Sequence, residues 1–409
     1  MTSETSYKDG FGLALVGCGQ IATHHLEAMA SALPRKIQLC ALCDPSKERR
    51  AAIDDLVLNK YSNSLLCSGQ PARHFDTLEG LLSSSDGFAK DVIDVIFIAV
   101  PHDLHETIAL QALSFEHAKI VVLEKPLAPT RDACDRLVKH SEKLMTDGQT
   151  NTPSPMLIIA EQSPYWHEVA LARQLIAEGT IGSIVTAASY YYESMRDNVT
   201  SGSVDESGGL GWRGSIARAG GGIALDGGLH WIRPLREMLD RRIERVVAVV
   251  RRNLEPRLQM EGESVAHALF QMESHSTHVE PDGAGPLVAT YSCNMLATAP
   301  MAHDTCPYFR ITGTKGELVI HGNGLFREDP GAGGLRLYNE EHSQGKELFL
   351  DDRKGGFFLG FAGLWSEIYR IGTNQDHTAA HQSVVRAADD VRVVLAMYKS
   401  AANGSWEDV

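Results

Sequence analysis

Long apolar runs are missing from this 409-residue chain, and so is any excess of basic charge. No stretch approaches the ~18 apolar residues that a membrane-spanning helix needs. The N-terminus, MTSETSYKDG, lacks the apolar core of a secretory signal, and the C-terminal SWEDV is no retention or peroxisomal address. The expectation is a soluble, cytoplasmic protein with no membrane partner. Against 52 Asp and Glu stand only 38 Lys and Arg, a formal net charge of −14. That balance argues against nucleic-acid partners, because phosphate backbones need clustered cations. Backbone amides at a helix start still bind anions in an acidic chain, so nucleotides are not excluded.

Cysteine is also sparse, with seven residues scattered along the chain. Only Cys40 and Cys43 form a C-x-x-C, inside the apolar run IQLCALCD, and no second pair completes a zinc site. No metal is expected; these read as buried strand thiols in a reducing compartment.

The first third alternates strand and helix signals. GLALVGCG, IQLCALCD, DVIDVIFIAVP and KIVVLEKP are near-continuous apolar strands, each followed by a helical pattern. This predicts a doubly wound α/β domain with a parallel sheet. TDGQTNTPSP (146–155) has linker composition, yet MLIIAEQ after it reads as one more strand. Beyond it come one helix, HEVALARQLIAEGTIG, and then a run of strands separated by turn signals. That predicts an α+β domain with a large, mostly antiparallel open sheet. Two domains are expected, 10–161 and 162–409, with the final helix able to pack back on the first.

LALVGCGQIA sets Gly17-x-Gly19-x-x-Ala22 between a strand and a helix, with Gln20 and Ile21 inside the turn. Gly17 permits the tight turn, Gly19 lets backbone approach a pyrophosphate, and Ala22 lets helix and strand pack closely. The second strand ends at Asp44, whose carboxylate suits the hydroxyls of an adenosine ribose. It would repel a 2′-phosphate, so NAD is favoured; Lys47, Arg49 and Arg50 behind it leave NADP open. Ligands of doubly wound sheets sit at the carboxyl ends of the strands, where Pro101, His102, His105, Glu124 and Lys125 all fall.

Two stretches carry acid–base chemistry. Lys125 leaves the buried strand of IVVLEKP beside Glu124, where burial would shift its proton affinity. In GGGIALDGGLHWI, Asp226 and His230 stand four apart and would share one face of a helix. Gly220 to Gly222 would admit substrate or backbone, and Gly227 and Gly228 would keep that face open.

Together VGCGQIA, Cys43-Asp44, VIFIAVPHDLHETIALQAL, LEKPLA, LIAEGTIGSI, the WRGS…AGGGIALDGGLH stretch and TGTKGEL resemble the Gfo/Idh/MocA oxidoreductases, the glucose–fructose oxidoreductase and inositol dehydrogenase superfamily. The resemblance implies an N-terminal Rossmann domain that holds a nicotinamide cofactor. It also implies a C-terminal α/β domain whose open sheet supports homo-oligomers, dimers or tetramers, and polyhydroxylated substrates such as sugars and cyclitols. By position, Lys125 corresponds to the family's catalytic lysine, His230 to its catalytic histidine and Asp226 to its substrate-binding acid. Gln162 stands near the expected nicotinamide carboxamide, and Trp212 and Arg213 on the substrate side. The family's common Asp three residues after the histidine is Arg233 here, followed by Pro234, and AEQSPYW replaces an aromatic–Asn–Arg pattern. Both departures, with the polar loop 193–211, are expected to shape the pocket wall. Two alternatives remain: glycoside cleavage through transient oxidation by bound NAD, and a non-catalytic NAD-binding regulator.

Overall fold

A computed structural model describes residues 10–67, 69–149, 154–193, 210–274, 285–297, 307–321, 334–348 and 356–409. The chain divides into two compact units: 1–128, 132–161 and 361–388 form the first, and 129–131, 162–360 and 389–409 the second.

The first unit is built on β1 (Phe11–Val16), β2 (Ile37–Cys43), β3 (Arg73–Phe75), β4 (Val95–Ile98), β5 (Ile120–Glu124) and β6 (Met156–Ala160). All pair in parallel, in the order β3-β2-β1-β4-β5-β6. The Val, Ile and Leu runs of β4, β5 and β6 are buried at every position, as a sheet covered on both faces requires. Helices α1 (Gln20–Ala32), α2 (Lys47–Leu56), α3 (His105–Leu113) and α4 (Arg131–Gln149) follow β1, β2, β4 and β5. The strand order reverses direction between β1 and β4, which opens a crevice at their carboxyl ends. The expected linker is shorter than composition predicted. The α4 helix runs on to Gln149, where Thr146 hydrogen-bonds back to the Glu142 carbonyl at 3.0 Å. Cys40 and Cys43 are buried in β2, and no disulfide forms among the described residues. No described helix is long and apolar enough to cross a membrane.

The second unit carries a nine-stranded sheet in the order β14-β13-β12-β11-β7-β10-β9-β8-β15. Its strands are β7 (Ile184–Tyr192), β8 (Ile243–Arg252), β9 (Glu263–Met272), β10 (Val288–Asn294), β11 (Pro307–Gly313), β12 (Gly316–His321), β13 (Leu335–Asn339), β14 (Lys346–Leu348) and β15 (Glu407–Asp408). Every pairing is antiparallel except β10 with β7. Alternation sorts the two faces: Val246, Ala248, Ala268 and Phe270 are buried, whereas Val249 is 63% and Leu269 40% exposed. Helices α5 (His167–Ala177), α6 (Ile223–Asp226) and α7 (Leu229–Leu239) complete this half. Near the C-terminus come α8 (Gly356–Asn374) and α9 (His377–Asn403); α9 divides between the units after Ala388. Sequence reading found α9 only from residue 387 onward and did not find α8.

Candidate functional site

In the first unit, β1 delivers the chain into the glycine turn. Gly17 has φ +94°, a left-handed conformation, and a Cβ there would overlap the Ala99 carbonyl after β4. Gly19 is the N-cap of α1 and offers no side chain to its free amides. A Cβ on Gly19 would meet no atom of the protein within 4 Å. The backbone here is bare on one side and opens a helix, whose first amides have no partner within the helix, which suits a pyrophosphate. Gln20 is exposed at the first turn of α1, Ile21 is half-buried, and Ala22 is sealed against the sheet.

Asp44 sits just past β2 and is buried, with Oδ2 accepting the Cys18 amide and Oδ1 the Ser46 amide, each at 2.8 Å. The carboxylate therefore ties the end of β2 to the glycine turn, and each oxygen keeps a further lone pair for a hydroxyl. Of the cations that left NADP open, Arg50 is buried and paired with Asp76 at 2.8 Å, while Lys47 and Arg49 are exposed. Burial, with the Asp44 charge adding to it, pushes the Cys18 thiol up to about 12, so it stays protonated at neutral pH.

At the ends of β4 and β5, two of the residues expected beside the cofactor turn inward. His105, expected at the cofactor, is fully buried; its Nδ1 lies 2.7 Å from the Pro126 carbonyl and its Nε2 3.0 Å from the Val100 carbonyl. Burial lowers its proton affinity, and the neutral ring can donate to only one of these carbonyls, while both nitrogens face the loops after β4 and β5. Glu124 likewise turns inward. Its Oε1 lies 2.6 Å from His25 Nε2, and Trp365 Nε1 donates to His25 Nδ1 at 2.9 Å. That donor fixes the proton on Nε2, where it is given to the carboxylate. Pro101 and Lys125 remain half-buried at the strand ends.

In the second unit, the Asp226–His230 stretch is not one helix. The α6 helix ends at Asp226, Gly227 and Gly228 form a turn, and α7 begins at Leu229. The Gly228 amide reaches back to the Ile223 carbonyl at 2.7 Å, whereas the His230 amide bonds Gly227 at 3.2 Å. The expected i, i+4 face is therefore interrupted between the two residues. Nor do the glycines keep a face open. A Cβ on Gly227 would stand 2.6 Å from the Tyr191 ring, and one on Gly228 would overlap the Tyr291 hydroxyl. Gly222 is pressed on the Glu263 backbone in the same way. These positions are small because tyrosines and a strand pack directly against them.

Asp226 and His230 are both half-buried. Arg213 Nε donates to Asp226 Oδ2 at 2.9 Å, and its guanidinium lies 4.4 Å over the Trp212 ring. Trp212, Arg213 and Asp226 are thus brought together. They present the carboxylate and guanidinium side by side, acceptor beside donor, a pattern that matches adjacent hydroxyls. Gln162, which opens the longest segment of this unit, is 2% exposed, and neither Oε1 nor Nε2 has a hydrogen-bond partner among the described residues.

Arg233 is corrected too: it is 5% exposed, and its Nε donates to Asp390 Oδ2 at 2.6 Å, so it faces α9 and not a pocket. Nearly all of the 193–211 loop lies outside the described residues.

Sequence reading missed three supports. Glu263, fully buried, accepts the Gly222 amide at 3.0 Å, the Ala224 amide at 2.9 Å and the Tyr398 hydroxyl at 2.9 Å. Burial raises its proton affinity, although the bonds it accepts oppose that rise. Its only signal was an acid opening the apolar strand GESVAHALF. Tyr191 stacks on Trp231 with ring centroids 4.0 Å apart and gives its hydroxyl to Glu193. His25 gave none beyond a paired histidine in a helix start. No group of His, Cys, Asp and Glu able to hold a metal occurs among the described residues.

Known proteins match in both halves. A family model described as the oxidoreductase family with NAD-binding Rossmann fold matches residues 11–146, and one for the GFO/IDH/MocA C-terminal domain matches 169–319. Inositol 2-dehydrogenase of Salmonella typhimurium is 27% identical over 129 residues, 32% of this chain and 32% of that enzyme. A glycosyl hydrolase family 109 protein of Shewanella baltica is 21% identical over 185 residues, 45% of this chain and 35% of that protein. The matched stretches thus span about a third of these relatives' own length. Among solved structures, levoglucosan dehydrogenase in complex with NADH superposes with a TM-score of 0.72 at 18% identity, covering 98% of this chain and 99% of that one. Aldose-aldose oxidoreductase from Caulobacter crescentus gives 0.70 at 17%, covering 98% and 100%. At such identities the superpositions establish the shared fold.

Proposed function

The chain belongs to the Gfo/Idh/MocA oxidoreductase family, whose NAD-binding Rossmann fold is its first unit, and from that premise we propose that it transfers a hydride between a nicotinamide cofactor and a hydroxyl or carbonyl of a sugar, sugar derivative or cyclitol. The observation that carries the reading is the cradle at Gly19, bare of side chains at the start of α1 and tied by Cys18 to the Asp44 carboxylate. Gly17, Gly19 and the first turn of α1 would hold the dinucleotide's pyrophosphate, and Asp44 its ribose hydroxyls. The orphaned Gln162 amide has the donor and acceptor that a nicotinamide carboxamide needs. Bound NAD supplies a hydride acceptor, and NADH a donor. In the second unit His230 would take the proton of the reacting hydroxyl, with Asp226 and Arg213 gripping a neighbouring hydroxyl; in the first, Lys125 matches the family's catalytic lysine by position; reduction would reverse these roles.

A panel of sugars, sugar acids, anhydro-sugars and inositols, followed by NADH and NADPH absorbance, tests the reading. Oxidation of none of them by purified protein would remove it. In the same assay Asp44→Ala should weaken NAD binding by about 10–100-fold, the worth of one or two hydrogen bonds to a charged group. It should also narrow the preference over NADP; equal affinities in the wild type would end the cofactor argument. The likeness to the glycosyl hydrolase family 109 proteins favours a second reading, glycoside cleavage through transient oxidation. Release of free sugar from a glycoside, with no net NADH formed, would establish it.

The open face of the nine-stranded sheet bears on assembly. Val249 and Leu269 are exposed on neighbouring strands, with Leu269 opposite Val247 and Val249 opposite His267. Exposed apolar sheet faces mark association sites, and we read this one as the surface joining copies into a dimer or tetramer. Val249→Glu combined with Leu269→Glu should lower the mass measured by light scattering toward one chain. An unchanged mass would place the interface elsewhere.

A further inference from the structure

The helix that carries His230 is poorly made for its task. Its N-cap is Gly228, which offers no side chain to the first amides. Pro234 lies inside it and has no N–H to give the carbonyl four residues earlier, which is that of His230. Propensity alone therefore leaves the backbone at His230 loosely determined. The surrounding structure supplies what the helix lacks, and it does so from α9.

On one side of His230, Asp390 takes Arg233 Nε at 2.6 Å and Arg236 Nη1, while Asp389 takes Arg236 Nη2 at 3.1 Å. All four side chains are buried. Asp389 is held in turn by Arg392 at 3.0 Å. Arg233 and Arg236 share one face of α7, three residues apart. On the other side, Tyr398 donates to Glu263 and accepts from the Gly222 amide at 3.2 Å, gripping the start of α6. Asp390 and Tyr398 are eight residues apart, a little over two turns, and so stand about 12 Å apart along the axis of α9. Both ends of the 222–236 segment are pinned to a single helix.

We propose that Asp390 and Arg233 are a positioning pair, and that α9, through Asp390 and Tyr398, sets the place of His230. This rests on the reading of His230 as the proton-exchanging group, and it adds two residues that touch neither substrate nor cofactor. A buried ion pair is a poor source of net stability, since apolar residues of similar size often serve as well. It is directional, however, and so fixes the rotation and register of a weak helix.

Hydrogen–deuterium exchange on the full chain tests this beside kinetics. In Asp390→Ala, amides of residues 223–236 should exchange at least about tenfold faster, while those of β7 and β9 keep their protection. The rate kcat should fall, with KM and the NAD dissociation constant within about twofold of the wild type. Arg233→Lys, which keeps the charge and loses the planar fork, should show the same pattern in smaller degree, and it decides the matter if Asp390→Ala does not fold. The double variant Arg233→Met, Asp390→Leu should recover the melting temperature but neither the protection of 223–236 nor kcat. Recovery of all three by the apolar pair would overturn the proposal, as would exchange that rises equally across the sheet. If the wild type oxidises no member of the panel, the exchange comparison still decides the positioning role, and only the reading of His230 fails.

Discussion

His230→Ala should lower kcat by about 10²–10⁴-fold on the panel member that turns over fastest, the usual worth of a positioned general acid–base group. Binding of NAD, measured by titration calorimetry, should be unaffected, because the cradle at Gly17, Gly19 and Asp44 is built from the first unit alone. Lys125→Ala should cost a similar factor. The double variant should lose far less than the product of the two, since groups that act as a unit are not additive. His230→Gln, which keeps a hydrogen-bonding group and cannot exchange the proton, should be nearly as slow as the alanine variant. Full activity in either single variant would remove that residue from the chemistry. Activity lost together with NAD binding would show misfolding instead.

Glu263→Ala should be among the most destabilising substitutions in the second unit, by about 3 kcal/mol, read as a lower midpoint of urea unfolding. The side chain is fully buried and accepts two amides and one hydroxyl. Without it the Gly222 and Ala224 amides lose their acceptor in a dry site, at about 1–3 kcal/mol for each group left unsatisfied. The Tyr398 hydroxyl limits the loss by remaining near Gly222. The pH dependence has a definite sign. Burial holds the folded-state pKa of Glu263 above its ordinary value. Its proton-linked contribution is therefore fully present below the ordinary carboxylate range and is lost as pH rises through the raised value. Wild-type protein should lose stability across that window relative to Glu263→Gln, which does not titrate. A difference between the two that is flat with pH would mean that folding does not raise the proton affinity of Glu263, whatever its part in holding Gly222.

Much of this arrangement is legible in the sequence, for reasons that differ by residue. The parallel sheet is plain because β4, β5 and β6 are buried on both faces and so are continuously apolar. Gly17 and Gly19 are legible because a left-handed turn and a bare backbone admit little else. Asp44 is legible because it ends an apolar strand at a fixed distance from that turn. The helix α8 is not legible: its apolar residues GFFLGFAGLW run almost without interruption, and a period of 3.6 is hidden when nearly every side is apolar.

Strand-end polar residues are a different matter. Pro101, His105, Glu124 and Lys125 look alike in the sequence, each following a buried run. Tertiary structure sorted them, turning His105 onto two carbonyls and Glu124 onto His25, a partner 99 residues away. Arg233 looked like a pocket wall until Asp390, 157 residues on, claimed it. The glycines beside Asp226 suggested an opening, and Tyr191 and Tyr291 fill it. Local pattern by itself determined the Rossmann half, its glycine turn, the acid that ends its second strand and the family, since each depends on a few consecutive residues and on periodicity. Only the tertiary structure decided which way each buried polar group points. A buried charge or imidazole must find a partner wherever the fold provides one, and the distance to that partner along the chain leaves no trace in the local sequence.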